Sequence, residues 1–293
     1  SLQLTQPCLW IRTVDGVRVL KAAIANFVDD LAIAAPAEDM TAIKNSLKER
    51  YRMTDGGEIE WFLGVRLAFN RSQGTLSLSQ DSTISQLLET HQLQNCSGVS
   101  TPAEGVLERA TSPATQEELL YMRNKNYRSL VGSLIYLLFT RPDITFAINQ
   151  LTRHVSDPRP SHWRAAVRLL KYLKKTQHLS LVYCRSPNPE ISGYCDADYA
   201  GDSTSGRSTT GYVFIIAGTA ISWKTKLQPS VALSTCEAEL MALSAALQEA
   251  IWLRRLATDL HLPSAANPMT LHEDNQGTLA IANDRRFSER TKH

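Results

Sequence analysis

The change of pattern at Ser186-Pro187-Asn188-Pro189 constrains this chain most. Before it, over 127–182, apolar residues recur at helical spacing, interrupted at Arg141-Pro142 and at SDPRPS, where proline removes a backbone donor and breaks the helix. After it come three β-runs (ISGYCDAD, TTGYVFIIA, TAISWKT), one long helical stretch, a short β-run MTLHED and a final helix. We therefore expect a domain boundary there and an α/β unit over 189–293.

Upstream, 17–34 reads as two β-runs meeting in a tight turn at Asp29-Asp30. A helix is expected over 38–52, with Met40, Ile43, Leu47 and Tyr51 on one face. Two strands, WFLGVRLAF and GTLSLSQ, and a helix over 81–93 follow. The stretch 97–118 is rich in Ser, Thr, Pro and Gly and is expected to be an exposed connection. The expected division is thus 1–100, a mostly helical 101–188, and 189–293.

With 293 residues, 43% of them hydrophobic, the chain can bury one or two full cores. A net charge of +2 points to no partner by itself, so a nucleic-acid surface must come from local clusters of Lys and Arg. Cys8, Cys96, Cys184, Cys195 and Cys236 are odd in number and never C-x-x-C, which suits reduced thiols better than a disulfide frame or a structural zinc. The apolar run Leu130 to Phe139 is about half of the ~20 residues that a spanning helix needs and reads as a buried helix. The first residues show no charged head followed by an apolar signal core, and the sequence does not begin with Met. A fragment or processed product, intracellular and not secreted, is expected.

The acidic residues of the last hundred positions carry the chemistry. The β-run over 191–198 ends in Asp196 and Asp198, and Ser234-x-x-Glu237 has capping-box spacing at the start of the long helix, with Glu237 expected to reach back to the N-cap amide. That leaves Glu239 free, while Asp274 lies at the carboxyl end of the next strand. If the strands bearing Asp196 and Asp274 are neighbours, both carboxylates meet where open α/β sheets bind ligands. Each acid alone reads as an ordinary turn Asp or helix-start Glu. Together they suit Mg²⁺ or Mn²⁺, two of which, about 3.5–4 Å apart, support hydrolysis of a phosphodiester.

The stretches GYCDADYAGDSTSGRSTTGYVF, ISWKTKLQPSVALSTCEAELMAL and EDNQGTLAIA resemble the ribonuclease H domain of copia-type long-terminal-repeat retrotransposon Pol polyproteins. NFVDDLAIAA, WFLGVRL, YRSLVGSLIYLLFTRPDITFAINQLTRHVSDP and HWRAAVRLLKYLKKT resemble the later half of the same family's reverse transcriptase. The resemblance implies a partial palm, thumb and connection followed by a ribonuclease H-like mixed sheet. It implies that Asp29 and Asp30 are the paired palm aspartates that hold Mg²⁺, and that Asp196, Glu239 and Asp274 are the ribonuclease carboxylates. WFLGVRL would grip the primer strand, with Trp61 and Phe62 packing and Gly64 allowing close backbone approach. In the family an earlier palm aspartate and the fingers precede the paired motif, so polymerase activity from this chain alone is not expected, and an Ile-Asp whose Asp completes the ribonuclease set follows TKH, so a nuclease site one ligand short is expected.

Arg164, Arg168, Lys171 and Lys175, at steps of four, three and four, put cations along one helix face, opposite Trp163, Ala166, Leu170 and Leu173. Such a stripe can track primer–template phosphates, or can simply be a solvated face. Arg254, Arg255 and 284–293 add basic groups expected near the nuclease site. The expected partner is an RNA–DNA hybrid, read by backbone shape and the 2′-hydroxyl, with no membrane contact. An inactive hybrid-binding remnant is the alternative. An integrase or transposase core is a third, which the upstream NFVDDLAIA argues against.

Overall fold

The computed structural model describes residues 8–14, 17–110, 112–187 and 189–283. Among the described residues it is a mixed α/β protein with three sheets. The first sheet is antiparallel: β1 (Cys8–Val14), β2 (Val17–Phe27) and β3 (Asp30–Ala34), with α1 (Ala37–Arg50) following. Phe27 pairs with Asp30, so β2 and β3 join through two residues, Val28 and Asp29. Ala22 and Ile24 pack with Ile43 of α1, which gives this unit its own small core.

The second sheet contains β4 (Trp61–Phe62), β5 (Val65–Asn70), β6 (Thr75–Ser79) and β7 (Leu181–Cys184). WFLGVRLAF is not one strand, because a turn at Leu63-Gly64 folds it into the β4–β5 hairpin. Gly64 has φ +67°, and a Cβ there would sit 2.7 Å from Tyr136 Oη. The Tyr136 hydroxyl donates to the Leu63 carbonyl, so the close approach made by this glycine is to an aromatic ring of the chain itself. Trp61 is half-exposed rather than packed.

Between these strands run α2 (Asp81–Thr90), α3 (Gln116–Met122), α4 (Tyr127–Tyr136), α5 (Thr145–Thr152) and α6 (Pro160–Lys175). Pro142 and Pro160 stand in the first turn of new helical segments, where a missing N–H costs nothing. The largest core joins Ile84 and Leu88 of α2 to Leu130, Leu134, Ile148, Leu169, Leu170 and Leu173. With β6 paired to β7, this core crosses residue 100, and Val99, Ala103 and Leu107 of the expected exposed connection pack against it. Arg141 is buried beneath α6, its guanidinium donating to Asp143 Oδ1 and Oδ2 at 2.9 and 2.7 Å and to Thr176 Oγ1 at 2.7 Å.

The third sheet has the order β10-β9-β8-β11. Its strands are β8 (Ile191–Asp198), β9 (Thr209–Ile216), β10 (Thr219–Leu227) and β11 (Thr270–His272). The helices α7 (Thr235–Asp259) and α8 (Gln276–Asn283) complete the unit. The face of α7 against the sheet is a run of small residues, Ala238, Ala242, Ala246 and Ala257, with Leu253. Leu247 and Ile251, large apolar residues of the same helix, are about half-exposed. Phe214 of β9, fully buried, packs with Ala246, Leu253 and Ala257 of this face. The helical unit meets this sheet through Asn149 Nδ2, which donates to the Thr225 carbonyl at 3.0 Å, and through Arg153, 3.6 Å from Asp202. Among the described residues no helix is long and apolar enough to cross a membrane.

Candidate metal centre and nucleic-acid surface

β8 and β11 are parallel neighbours, with His272 opposite Tyr194. Two residues further along each chain stand Asp196 and Asp274, so the register itself delivers both carboxylates to one sheet end. The third comes from α7. Ala197, Ala232, Ala238 and Ala242 form one small cluster, and with only methyl groups between them the start of α7 lies close against the end of β8. That closeness brings Glu239 to the Ala197 amide, and Glu239 is 7% exposed.

One ligand atom from each of Asp196, Glu239 and Asp274 lies within 4.8 Å of the others, with Asp196 and Asp274 exposed and Glu239 buried. Glu239 Oε2 has no hydrogen-bond partner. Burial pushes the Glu239 carboxyl up to about 7, and the charges of Glu273 and Asp196 add to this while the Ala197 amide opposes it. Such a carboxylate is uncompensated, and an oxygen-only set with a buried orphan oxygen fits a hard divalent cation.

Two neighbours complete the surroundings. Glu273 Oε1 accepts from the Asn275 amide at 3.1 Å, and its Oε2 lies 3.3 Å from Cys195 Sγ. Burial, then the Glu273 carboxylate, pushes the Cys195 thiol up to about 12, so Cys195 is the donor. Asn275 Oδ1 accepts from the Thr278 amide at 2.9 Å and starts α8, which fixes the loop carrying Asp274. The role of Glu273 escaped sequence reasoning, and its adjacency to Asp274 was the available signal.

The expected cap of α7 is present in altered form. Ser234 Oγ accepts from the Glu237 amide at 3.2 Å, and Glu237 Oε2 reaches back to the Leu233 amide at 2.7 Å, one residue before the expected N-cap amide. Glu237 is thus held at the helix start, away from the trio. Asp198, exposed, turns its carboxylate against Gly201, whose missing side chain admits it.

Asp29 and Asp30 are both exposed at the β2–β3 turn. Val28 before them is 80% exposed with φ +51°, a left-handed conformation that costs a β-branched residue of order 1–3 kcal/mol. Among the described residues the one acidic trio with metal-ligand closeness is that of Asp196, Glu239 and Asp274.

The four cations of α6 divide. Arg168 is tied to Glu104 at 2.5 Å and Thr101 at 2.8 Å, and Lys175 donates to Ser100 at 2.8 Å. Arg164 and Lys171 have no ion pair among the described residues, so two of the four remain for a partner. Arg254 and Arg255 lie fifteen and sixteen residues along α7 from Glu239, about 23 Å by helix rise, too far to flank the trio as expected. The expected basic residues 284–293 lie outside the described residues. His154 and His162 stack at 3.8 Å and hold the Leu107 and Glu108 carbonyls, a structural task.

A reverse transcriptase (RNA-dependent DNA polymerase) family model matches residues 5–105. The chain is 37% identical over 293 residues to the retrovirus-related Pol polyprotein from transposon TNT 1-94 of Nicotiana tabacum, covering 99% of this chain and 22% of that protein. It is 33% identical over 275 residues to the corresponding polyprotein from transposon RE1 of Arabidopsis thaliana, covering 91% of this chain and 18% of that protein. A protein named secreted RxLR effector protein 161, from Plasmopara viticola, is 49% identical over 133 residues, 45% of this chain and 94% of its own length. The chain thus spans about a fifth of the Pol polyproteins that it matches. No solved structure matches it. The chain belongs to the copia-type retrotransposon Pol polyprotein family.

Proposed function

We propose that this chain is a reverse transcriptase–ribonuclease H segment that binds an RNA–DNA hybrid and hydrolyses its RNA strand. In this reading 189–293 is a ribonuclease H-like domain. The 17–34 hairpin is the palm turn with Asp29 and Asp30, and the segment between them is thumb and connection. The observation that carries the nuclease reading is the convergence of Asp196, Glu239 and Asp274 within 4.8 Å, one of them a buried carboxylate with an unpartnered oxygen.

Asp196, Glu239 and Asp274 would hold Mg²⁺ or Mn²⁺. Two such ions would lower the pKa of an attacking water and neutralise charge at the scissile phosphate. The residues of the chain do the remaining work. β8 and β11 hold two carboxylates rigidly side by side, and α7 supplies the third from a dry flank where its charge is least screened. Glu273 and Asn275 fix the Asp274 loop. Arg164 and Lys171 offer phosphate contacts remote in sequence from the trio, which suits a substrate longer than the cleavage site. Asp29 and Asp30 supply two of the carboxylates for nucleotidyl transfer in the longer polyprotein, and this chain has no third one grouped with them among its described residues.

Cleavage of an end-labelled RNA–DNA hybrid in Mg²⁺ and in Mn²⁺ tests this, with Asp196→Asn beside the native chain. Cleavage lost in Asp196→Asn is the expected result. Hybrid binding without any cleavage would refute the nuclease reading and favour an inert hybrid-binding remnant.

A further inference from the structure

A further nucleic-acid feature lies on the helical unit, around the two open cations of α6. The segment 96–104 runs along α6, held by the Val99 amide donating to the Lys171 carbonyl at 3.4 Å and by Lys174 Nζ on the Cys96 carbonyl at 2.6 Å. Gly98 makes this possible, since a Cβ there would lie 2.7 Å from the Lys175 Cβ. The segment neutralises Arg168 and occupies Lys175, as described above. What it leaves open is a groove of about 330 Å³ between α3 and α6, lined by Tyr121, Trp163, Arg164 and Lys171 together with Val99 and Arg168.

The groove has an unusual chemistry for a surface otherwise stitched by ion pairs. Tyr121 is 43% exposed. Lys125 Nζ lies 5.2 Å from the ring centres of both Tyr121 and Trp163, so a cation is held against two aromatic rings. The His91 ring braces Trp163 edge-on at 6.0 Å, which fixes the indole in place. Arg164 and Lys171, without acidic partners among the described residues, stand two helical turns apart, about 10 Å along the axis. Rigid aromatic faces beside cations at that separation complement a strand whose bases are free to stack and whose phosphates run past. A duplex offers phosphates to the cations but keeps its bases stacked inside, out of reach of Tyr121.

We infer that this groove binds unpaired nucleotides of a single-stranded nucleic acid, with a base against Tyr121 and Trp163 and phosphates at Arg164 and Lys171. The inference rests on the reading that the chain handles nucleic acid, yet it concerns a surface that the nuclease trio does not use. It assigns the chain a hold on an unpaired end or overhang in addition to the hybrid.

Fluorescence anisotropy of the full chain with a labelled unstructured oligo-uridine and, separately, with a blunt-ended RNA–DNA hybrid tests it. The native chain should bind the single strand, and Tyr121→Ala should weaken that binding about tenfold while leaving hybrid affinity within about twofold. Tyr121→Phe, which keeps the ring, should retain native affinity and so exclude a mere folding defect. Arg164→Gln should lower the slope of log affinity against log salt by about 0.7, the loss of one single-strand phosphate contact. The inference is overturned if the native chain does not bind the single strand, if Tyr121→Ala is without effect, or if it weakens hybrid and single strand alike. Equal binding of a glutamate-rich peptide would also overturn it. Asp196→Asn should leave single-strand binding unchanged, so failed cleavage with intact, Tyr121-dependent binding would sink the nuclease reading and keep this one.

Discussion

Glu239→Gln separates a carboxylate held for a cation from one held for the fold. Glu239 is pushed from its ordinary 4.5 up to about 7, first by burial and then by the charges of Glu273 and Asp196. An acid whose folded pKa is raised carries no penalty below its unfolded value and destabilises the fold increasingly as pH climbs from that value through the folded one. Below about pH 4 both states are protonated and the residue is neutral to stability, whereas above about pH 8 its ionised form destabilises the metal-free fold. The full displacement corresponds to about 3 kcal/mol, and solvent around the exposed Asp196 and Asp274 leaves about 1–2 kcal/mol of it. Glutamine keeps the shape and can still accept from the Ala197 amide, so urea unfolding in EDTA should show Glu239→Gln more stable than native by that amount above about pH 8 and equal to it below about pH 4. Added Mn²⁺ should reverse the order, because only the native chain gains from the ion. A Glu239→Gln chain that is less stable in EDTA at high pH, or a difference that ignores pH, would show instead that the carboxylate serves the fold.

Gly193 faces the Phe214 ring and lies where a Cβ would approach Leu271 Cδ1 at 2.8 Å, so Gly193→Ala should destabilise by about 1–3 kcal/mol and also weaken Mn²⁺ binding by forcing β8 and β11 apart, read as a smaller metal-induced rise in Tm. Arg141→Met leaves Asp143 without its buried partner and should cost about 3–5 kcal/mol in urea unfolding. Gly64→Ala places a methyl in a left-handed turn against Tyr136, and it should cost about 1–3 kcal/mol and raise proteolytic cleavage at the β4–β5 hairpin.

The parts of the site that were legible in the sequence sit at ends of elements. Asp196 and Asp274 close β-runs and Glu239 opens a helix, and such positions survive errors of register and boundary. The pairing of β8 with β11 needed a structure, because they are separated by two strands and a long helix. The inner face of α7 is hard to read from sequence because Leu247 and Ile251 stay half-exposed, whereas Ala238, Ala242 and Ala246 are what a closely packed helix can bury. α3 went unread despite a capping box, Thr115 with Glu118, that marks its start. The α6 stripe was legible as charge, but which cations stay free depended on Glu104 and Ser100, some seventy residues earlier in the chain. That outcome is set by tertiary contact, as is the core that joins α2 to α6.

What remains to be measured is whether Asp196, Glu239 and Asp274 form one divalent-cation site. Titrating the full chain with Mn²⁺ while following free ion by electron paramagnetic resonance tests it most directly. Saturable binding that competes with Mg²⁺, and that is lost in Asp196→Asn but kept in Asp198→Asn, is the expected result. Binding that does not saturate, or that Asp196→Asn leaves intact, would contradict it.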